Sequence, residues 1–265
     1  MEIELKNIKL GTTGKISVTI PSRMVTAITG SASEKLIDIL RGNLNGVSGK
    51  ISYDHKTITK ANQYEIKKNL SYVTDEFEYN RDYEIVEEYM LSIFLKEKLQ
   101  IKDPDRKIID SLKILNLSPE LLKRNISTLS DCEKKSLQLA IALLSNPKVI
   151  ILDEPFIQLD LKNIQRIMRL LVQLNEKYDI SVIIKTSNSE IIYKYIKYTI
   201  IITDDKKLIE GNTKEIYSNV EILKKYNIEI PDIVEFVYKA KKDKGVIIDY
   251  HRDIRDLIKD IYKHI

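Results

Sequence analysis

The sequence Val149-Ile-Ile-Leu-Asp153-Glu154-Pro155 places four apolar residues directly before two carboxylates. An unbroken aliphatic run of this length predicts a strand that is buried on both faces, as in a parallel sheet. Two carboxylates at the end of a buried strand cost free energy unless a cation or hydrogen-bond donors meet them. The stretch therefore predicts a functional site at the carboxyl edge of a sheet. The alternative is a strand end whose acidic side chains are simply solvated.

Predicted strands and helices alternate on both sides of this stretch. Apolar runs predict strands at residues 3–10, 15–20, 24–30, 50–59, 69–75, 179–187 and 199–211, the last being a hairpin that turns at Asp204-Asp205. Apolar residues at helical spacing predict helices at 33–41, 84–99, 105–116, 133–145 and 161–177. This alternation predicts an α/β fold with a mostly parallel sheet and a small antiparallel β-subdomain at the N-terminus.

The chain also shows changes in pattern that predict its domains. The helical stretch at about 80–133 interrupts the alternation and is interpreted as an inserted helical subdomain. The tail, residues 217–265, is rich in Lys and Asp, with a break at Ile230-Pro231. We therefore expect a main domain at 1–216 and a helical C-terminal extension at 217–265.

Composition limits the classes of function. Apolar residues make up 43% and charged residues 31% of the 265 residues, which is a globular balance without an apolar run long enough for a membrane span. The N-terminal residues alternate like a strand and do not resemble a signal peptide. The single cysteine, Cys132, excludes an internal disulfide and suits a reducing compartment. A net charge of +4 is too mild to indicate nucleic acid, so we expect no nucleic-acid partner.

The two carboxylates suit phosphate chemistry. In such sites a first carboxylate, here Asp153, holds Mg²⁺ through water, and a second, here Glu154, polarises the attacking water. Two further segments fit the same chemistry by their order. The stretch Leu129-Ser130-Asp131-Cys132-Glu133 begins a helix upstream of Glu154, and a strand ending at Thr29-Gly30 precedes a helix near the N-terminus.

This order resembles that of ABC ATPases, in which Walker A, a helical insert, the LSGGQ signature, Walker B, the D-loop and a switch segment follow one another. The resemblance covers essentially the whole chain and implies a P-loop NTPase-like core that binds ATP and Mg²⁺. It implies a signature role for Ser130 and a D-loop role for Asp160. The C-terminal stretch Gly211-Asn-Thr-Lys-Glu-Ile216 and the tail are most similar to the energy-coupling-factor (ECF) branch.

The ECF resemblance implies partners and a location. It implies a heterodimer with a second ATPase subunit, a transmembrane scaffold subunit and a substrate-capturing membrane subunit. The chain would then be peripheral, at the cytoplasmic face of the membrane. Membrane coupling would run through residues 75–90, which are acidic and aromatic. The alternative for residues 75–90 is a solvated loop that leads into a helix.

The Walker A stretch departs from the family. A P-loop needs G-x-x-x-x-G-K-[ST], because glycines let successive amides surround phosphates while the lysine supplies a point charge. The corresponding stretch is Gly30-Ser31-Ala32-Ser33-Glu34-Lys35-Leu36, in which only Gly30 and Lys35 fit, and about three residues are missing. A gapless placement puts Ser33 at the lysine position and Glu34 at the hydroxyl position. A one-residue gap restores Lys35 but leaves Leu36 in place of the hydroxyl.

We therefore expect a degenerate cofactor-binding loop made of Gly30, Ser31, Ser33 and Lys35. The alternative is that Ser31 or Ser33 caps a short helix, with Glu34 in its first turn.

Four other positions also depart from the family. Asp131 and Cys132 replace both signature glycines. A carboxylate about 4 Å from a phosphate charge is repelled by about 4 kcal/mol at an effective dielectric constant near 20. The helix N-terminus offsets only about 0.3–2 kcal/mol of this repulsion. The alternative is that Asp131 simply caps its helix. Asp75 stands for the Q-loop glutamine and Ser187 for the switch histidine, and residues 9–14 contain no aromatic to stack on adenine.

Three functional hypotheses follow. In the first, the chain is a degenerate ABC subunit whose own ATP hydrolysis is impaired, while a second ATPase supplies most of the nucleotide chemistry. In the second, it is an active ATPase with unusual loops. The retained Glu154, and the alignment that places Lys35 at the P-loop lysine position, favour this hypothesis. In the third, it is a soluble interaction module on the ABC fold with no transporter, since a fold does not determine function.

Overall fold

A computed structural model describes residues 1–9, 15–42, 48–59, 61–96, 101–204, 207–246 and 248–263. Its strands are β1 Ile3–Lys9, β2 Lys15–Ile20, β3 Val25–Thr29, β4 Lys50–Tyr53, β5 Lys56–Thr57, β6 Leu70–Val73, β7 Val149–Asp153, β8 Ser181–Lys185, β9 Tyr198–Ile202 and β10 Leu208–Asn212. Its α-helices are α1 Ser33–Leu40, α2 Gln63–Lys67, α3 Val86–Lys96, α4 Pro104–Ile114, α5 Asp131–Ala142, α6 Leu161–Tyr178, α7 Ser189–Tyr195, α8 Thr213–Ser218, α9 Val220–Lys225, α10 Asp232–Lys244 and α11 Ile254–Lys263. Short 3₁₀ helices occupy Pro119–Lys123, Ile126–Thr128 and Leu143–Ser145.

Two sheets confirm the predicted α/β class. One has four strands in the order β2-β1-β4-β5, with an antiparallel β4–β5 pair. The other has six strands in the order β10-β9-β3-β8-β7-β6. In this sheet β3 pairs with β9 and β6 with β7 in parallel, whereas β9 and β10 form the predicted antiparallel hairpin.

The chain forms two compact units. The first contains Met1–Ile3, Pro21–Met24 and Ser52–Ile183, and the second contains Glu4–Ile20, Val25–Ile51 and Ile184–Ile265. The helical insert predicted at about 80–133 corresponds in the first unit to α3, α4 and the two 3₁₀ helices that precede α5. The division at residue 216 stays a prediction, and α8 runs across that position.

In the first unit, β7 is the buried strand that its sequence predicts, because Val149 to Leu152 are at most 1% exposed. Its pairing with β6 sets Leu70 opposite Val149 and Val73 opposite Leu152. Helix α5 contacts β6, α4 and α6. Helix α6 buries a stripe that includes Ile167 and Leu171, as its predicted amphipathic spacing requires.

In the second unit, all five residues of β3 are buried, and β3 lies beside β9 with Thr29 opposite Ile201. The tail is helical as predicted, and Pro231 directly precedes α10, which begins at Asp232. Val237 of α10 and Leu257 of α11 bury each other with Ile248 in a small core. Among the residues that the structure describes, no helix combines the length and the apolar character that a bilayer span requires.

Candidate functional site

The carboxyl end of β7 presents the two predicted acidic residues. Asp153 and Glu154 are both partly exposed, directly after a strand that is otherwise buried. Glu154 has a φ of 40°, in the left-handed region. This conformation costs an L-residue other than glycine about 1–2 kcal/mol, and such strain tends to occur at functional sites. Four residues after the Pro-Phe turn, Asp160 caps α6, because its Oδ1 accepts from Asn163 N at 2.8 Å.

The parallel pairing of β6 with β7 brings a third acidic residue to the same edge. Val73 lies opposite Leu152, so residues 74 and 75 follow β6 at the level where Asp153 ends β7. The Asp75 side chain is exposed. The position expected to carry a neutral glutamine therefore carries a third carboxylate on this edge.

A capping box begins α5 and engages Ser130, the residue predicted for the signature. Glu133 N donates to Ser130 Oγ at 3.3 Å, while Ser130 N and Ser130 Oγ donate to Glu133 Oε2 at 2.9 and 2.8 Å. The backbone hydrogen bond from Ser130, with help from Arg124, lowers the pKa of Glu133. The expectation that Asp131 caps this helix was therefore wrong. Asp131 is the first helical residue, and Ser130 is the cap.

Glu133 was missed as a partner of Ser130, although the Ser-x-x-Glu spacing is a sequence signal for a capping box. Cys132, in place of the second glycine, is only 5% exposed, and burial raises the pKa of its thiol. A thiol with a raised pKa is a weak nucleophile, so the structure gives Cys132 a packing role.

Two side chains of α5 hold the segment that follows β6. Lys135 is 4% exposed, and its Nζ donates to Thr74 O at 2.7 Å and Asp75 O at 2.9 Å. Gln138 Nε2 donates to Glu76 O at 2.8 Å. Burial lowers the pKa of Lys135 to about 8. Nothing in the sequence indicates this clamp, because a lysine in an amphipathic helix is usually solvent-facing.

Three aromatic rings cluster just beyond the clamped segment. The rings of Phe77 and Tyr79 stack with centroids 5.5 Å apart, and Tyr89 of α3 meets them edge-on at 6.0 and 6.1 Å. Phe77 and Tyr79 are partly exposed, whereas Tyr89 is buried. We call these three residues the aromatic cluster. Exposed carboxylates follow the same stretch of chain, at Asp75, Glu76, Glu78, Asp82, Glu84, Glu87 and Glu88.

In the second unit, the loop after β3 is closed by its own backbone. Ala32 N donates to Ile202 O and Ser33 N donates to Gly30 O, each at 3.0 Å. Gly30 has a φ of 98°, and a Cβ at this position would lie 2.3 Å from Ile202 O. Only glycine fits a positive φ at such a close approach. The loop therefore lies directly on the end of β9.

The expectation that Ser31 or Ser33 caps the following helix was wrong. The residue before α1 is Ala32, which has no side-chain acceptor. Ser33 is the first helical residue and is 7% exposed, and Ser31 Oγ instead accepts from Asp204 N at 2.9 Å. Glu34 does lie in the first turn, as expected.

Both charged residues of this first turn have partners far away in the sequence. Lys35 Nζ lies 2.5 Å from Asp204 Oδ1, and Glu34 Oε2 lies 2.7 Å from Lys185 Nζ. The hydrogen bonds from Lys35 and then Ser31 lower the pKa of Asp204. The lysine that could have met a phosphate is thus paired with a carboxylate of the chain itself.

These contacts decide whether the loop fits the phosphates of ATP. A phosphate cradle needs successive amides that point outward, but the amides of Ala32 and Ser33 are bonded within the protein. Leu36, the residue after Lys35, is fully buried and offers no hydroxyl for Mg²⁺. The loop does not fit a triphosphate. Asp153, the predicted Mg²⁺ ligand, keeps the carboxylate oxygen chemistry that Mg²⁺ prefers.

The predicted switch position lies between β8 and α7. Ser187 is exposed, and its neighbour Asn188 caps α7 by accepting from Ile191 N at 3.0 Å. An imidazole gains and loses a proton near neutral pH, whereas a serine hydroxyl does not. Residues 10–14, most of the stretch without an adenine-stacking aromatic, lie outside the described residues.

The predicted site residues are thus divided between the units. The first contains Asp75, Ser130, Asp153, Glu154 and Asp160, and the second contains Ser187 and the loop of residues 30–35.

Comparison of the whole chain with known proteins identifies similar sequences and structures. The energy-coupling factor transporter ATP-binding protein EcfA2 of Clostridium perfringens is 26% identical over 239 residues, which cover 88% of this chain and 84% of that protein. EcfA2 of Caldanaerobacter subterraneus is 29% identical over 226 residues, 83% of this chain and 77% of that protein. Structurally, CbiO1 of Clostridium perfringens, part of the ABC transporter complex CbiONQ, is similar with a TM-score of 0.74 at 23% identity, covering 89% of this chain and 98% of that chain.

The similarity to CbiO1 confirms the predicted ABC ATPase fold. The sequence model of the family described as ABC transporter matches residues 14–157, more than half of the chain. This chain therefore belongs to the ABC transporter family.

Proposed function

We propose that the chain is the ATP-binding-cassette subunit of an ECF-type importer, and that it is the degenerate partner of a second ATPase subunit. The similarity to EcfA2 proteins supports the ECF assignment. In this proposal the second subunit supplies most of the nucleotide chemistry. The degenerate chain keeps the fold, pairs with that subunit and docks on a transmembrane scaffold subunit at the cytoplasmic face of the membrane.

The observation that carries the degenerate role is the bonding of Ala32 N to Ile202 O and of Ser33 N to Gly30 O. Positioning and electrostatic stabilisation supply nearly all of the catalysis in phosphoryl transfer. Asp153 and Glu154 retain their residue types, but a metal ligand and a base cannot act on a phosphate that nothing holds. The Ser130 hydroxyl is likewise engaged by Glu133.

The docking role is supported by the aromatic cluster. Accessible aromatic rings with a charged rim are typical of protein interfaces; Phe77 and Tyr79 are partly exposed, and the carboxylates at residues 75–88 favour a basic partner segment. Lys135 and Gln138 join the backbone next to this cluster to α5. A displacement of the aromatic cluster by a bound partner would therefore be transmitted to α5.

A titration of the isolated chain with Mg-ATP tests the degenerate role. We expect no saturable binding at micromolar nucleotide, because the loop offers no cradle. The second ATPase subunit, purified in the same way, is the positive control. Micromolar binding by this chain would contradict the proposal.

The assembled complex tests where hydrolysis occurs. Glu154→Gln in this chain should leave the ATPase rate within about twofold of wild type, whereas the same change in the partner ATPase should abolish it. The second candidate function, an active ATPase with unusual loops, is favoured by the retained Asp153 and Glu154. It predicts instead a loss of at least about tenfold for Glu154→Gln.

Co-purification tests the docking role. The double variant Phe77→Ala/Tyr79→Ala should lose the membrane subunit, because it removes the two partly exposed rings of the aromatic cluster. Tyr64→Ala is the matched control, since Tyr64 is an aromatic of the same unit that is 63% exposed on α2. Failure of the wild-type chain to co-purify with any polytopic subunit would favour the soluble-module hypothesis.

A further inference from the structure

Two ion pairs between described residues lie beside the loop after β3. Lys35 pairs with Asp204 at 2.5 Å and Glu34 pairs with Lys185 at 2.7 Å, so two cations meet two anions. Ser31 joins the set by accepting from Asp204 N. We call these five residues, Ser31, Glu34, Lys35, Lys185 and Asp204, the counter-ion latch.

We propose that Glu34 and Asp204 take the place of nucleotide phosphates, and that the counter-ion latch excludes anions from this loop, which its backbone hydrogen bonds hold closed. The inference rests on the proposed function, because it concerns the regulation of the loop that is degenerate there. The new element is that the negative charges of Glu34 and Asp204, as well as the short length of the loop, exclude anions.

The positions of the carboxylates support this substitution. A P-loop lysine meets phosphate as a point charge, and the Lys35 ammonium meets the Asp204 carboxylate in the same way. Glu34 lies in the first turn of α1, where the helix dipole favours an anion. Both features that would attract a phosphate, a lysine and a helix N-terminus, are already matched by carboxylates of the chain.

The exposure of the four charged side chains indicates that their charges can be removed with little loss of stability. Lys35, Glu34 and Asp204 are 44, 53 and 53% exposed, and only Lys185 is largely buried at 17%. Ion pairs between exposed groups contribute little to folding. Neutralising both carboxylates should therefore leave the fold intact while it removes the negative charge that faces Lys35 and Lys185 within the latch.

The test compares binding of inorganic pyrophosphate to full-length variants by isothermal titration calorimetry. Glu34→Gln/Asp204→Asn should bind pyrophosphate at least about tenfold more tightly than wild type. The matched control, Glu215→Gln/Asp243→Asn, makes the same net charge change at two exposed carboxylates of the same unit and should bind like wild type. Adding Lys35→Met to the first variant should abolish the gain.

Three results would overturn the inference. One is no gain in a variant whose unfolding midpoint matches wild type, the second is an equal gain in the control, and the third is a gain that survives Lys35→Met. The single variants Glu34→Gln and Asp204→Asn should each give a smaller gain. None of these measurements uses a partner subunit, so failure of complex assembly would refute the proposed function without changing this result.

Discussion

The loop after β3 and the strand end after β7 were both predicted from one family's motifs, and they differ in which parts of the expected motif are present. After β7, Asp153 and Glu154 keep both their identity and partial exposure. After β3, the amides of Ala32 and Ser33 bond within the protein and Lys35 meets Asp204. A site built from side chains at the end of a buried strand keeps its arrangement as long as the strand is kept. A site built from backbone amides depends on loop length and on several glycines, so a short deletion closes it.

The largest effect should come from Gly30→Ala, which tests whether the closed loop is as tightly constrained as its contacts indicate. The new Cβ would meet Ile202 O at 2.3 Å at a φ of 98°, so we expect the free energy of unfolding to fall by about 3 kcal/mol. Gly245→Ala, at a φ of 66° with nothing within 4 Å, should cost only about 1 kcal/mol. Equal losses in urea denaturation would show that the loop is not constrained by β9.

The next effect concerns α5 and depends on pH. The pKa of Lys135 is about 8 in the folded chain and 10.5 in the reference state, and Asp75 opposes this lowering. The unfolded chain therefore binds more protons between these values, so the free energy of unfolding should rise with pH from 8 to 10.5. Relative to Lys135→Met, the rise should be on the order of 2 kcal/mol.

Urea denaturation of both proteins across this pH range gives the difference directly. A difference that is constant with pH would contradict the buried charge. Hydrogen exchange at residues 74–76 should be faster in Lys135→Met, because the clamp loses two hydrogen bonds.

A smaller effect distinguishes the cap of α5 from its neighbour. Ser130→Ala removes the capping box and should lower the free energy of unfolding by about 1–2 kcal/mol. Asp131→Ala leaves the Ser130 cap in place and should cost less than about 0.5 kcal/mol, because the helix propensity of alanine offsets the lost interaction with the helix dipole. A larger loss of unfolding free energy for the Asp131 variant than for Ser130→Ala, in thermal or urea denaturation, would show that Asp131 is the capping residue.

The smallest effect should come from Lys35→Met. Its ion pair with Asp204 is about half exposed, so we expect a change in the free energy of unfolding of about 0.5 kcal/mol or less. Lys68→Met, which removes the exposed pair with Glu65, should give a similar value. A much larger loss for Lys35→Met would mean that the loop is held by this ion pair and less by its backbone.

Periodicity was enough to predict most of the fold. The five buried residues of β3, the apolar run of β7 and the stripe of α6 were all identified, because burial on two faces or one leaves a regular trace in sequence. The predicted helix at 84–99 is observed from Val86 to Lys96, and residues 97–99 lie outside the described residues. Asn146, in the left-handed conformation, follows the last helical residue, Ser145, which is where the helix predicted at 133–145 was expected to end.

The contacts of the site could not be predicted in the same way. Asp204 is 169 residues from Lys35, and the pairing of Thr29 with Ile201 is what brings the two ends of chain together. Sheet order sets such neighbours, and local periodicity carries no trace of it. The mistaken caps at Ser31, Ser33 and Asp131 have another cause. Several polar residues in a row can each cap a helix, and the backbone angles decide which one does.

The bonding of Ala32 N and Ser33 N inside the loop bears on how the chain would persist in a cell. A protein whose folded form binds a ligand is stabilised in proportion to the logarithm of ligand concentration. If the chain has the degenerate role proposed above, a loop that supplies its own hydrogen-bond partners gains no such stabilisation from ATP. The folded population of this subunit would then be the same in starved and in well-fed cells, while that of a nucleotide-binding partner would follow their energy charge.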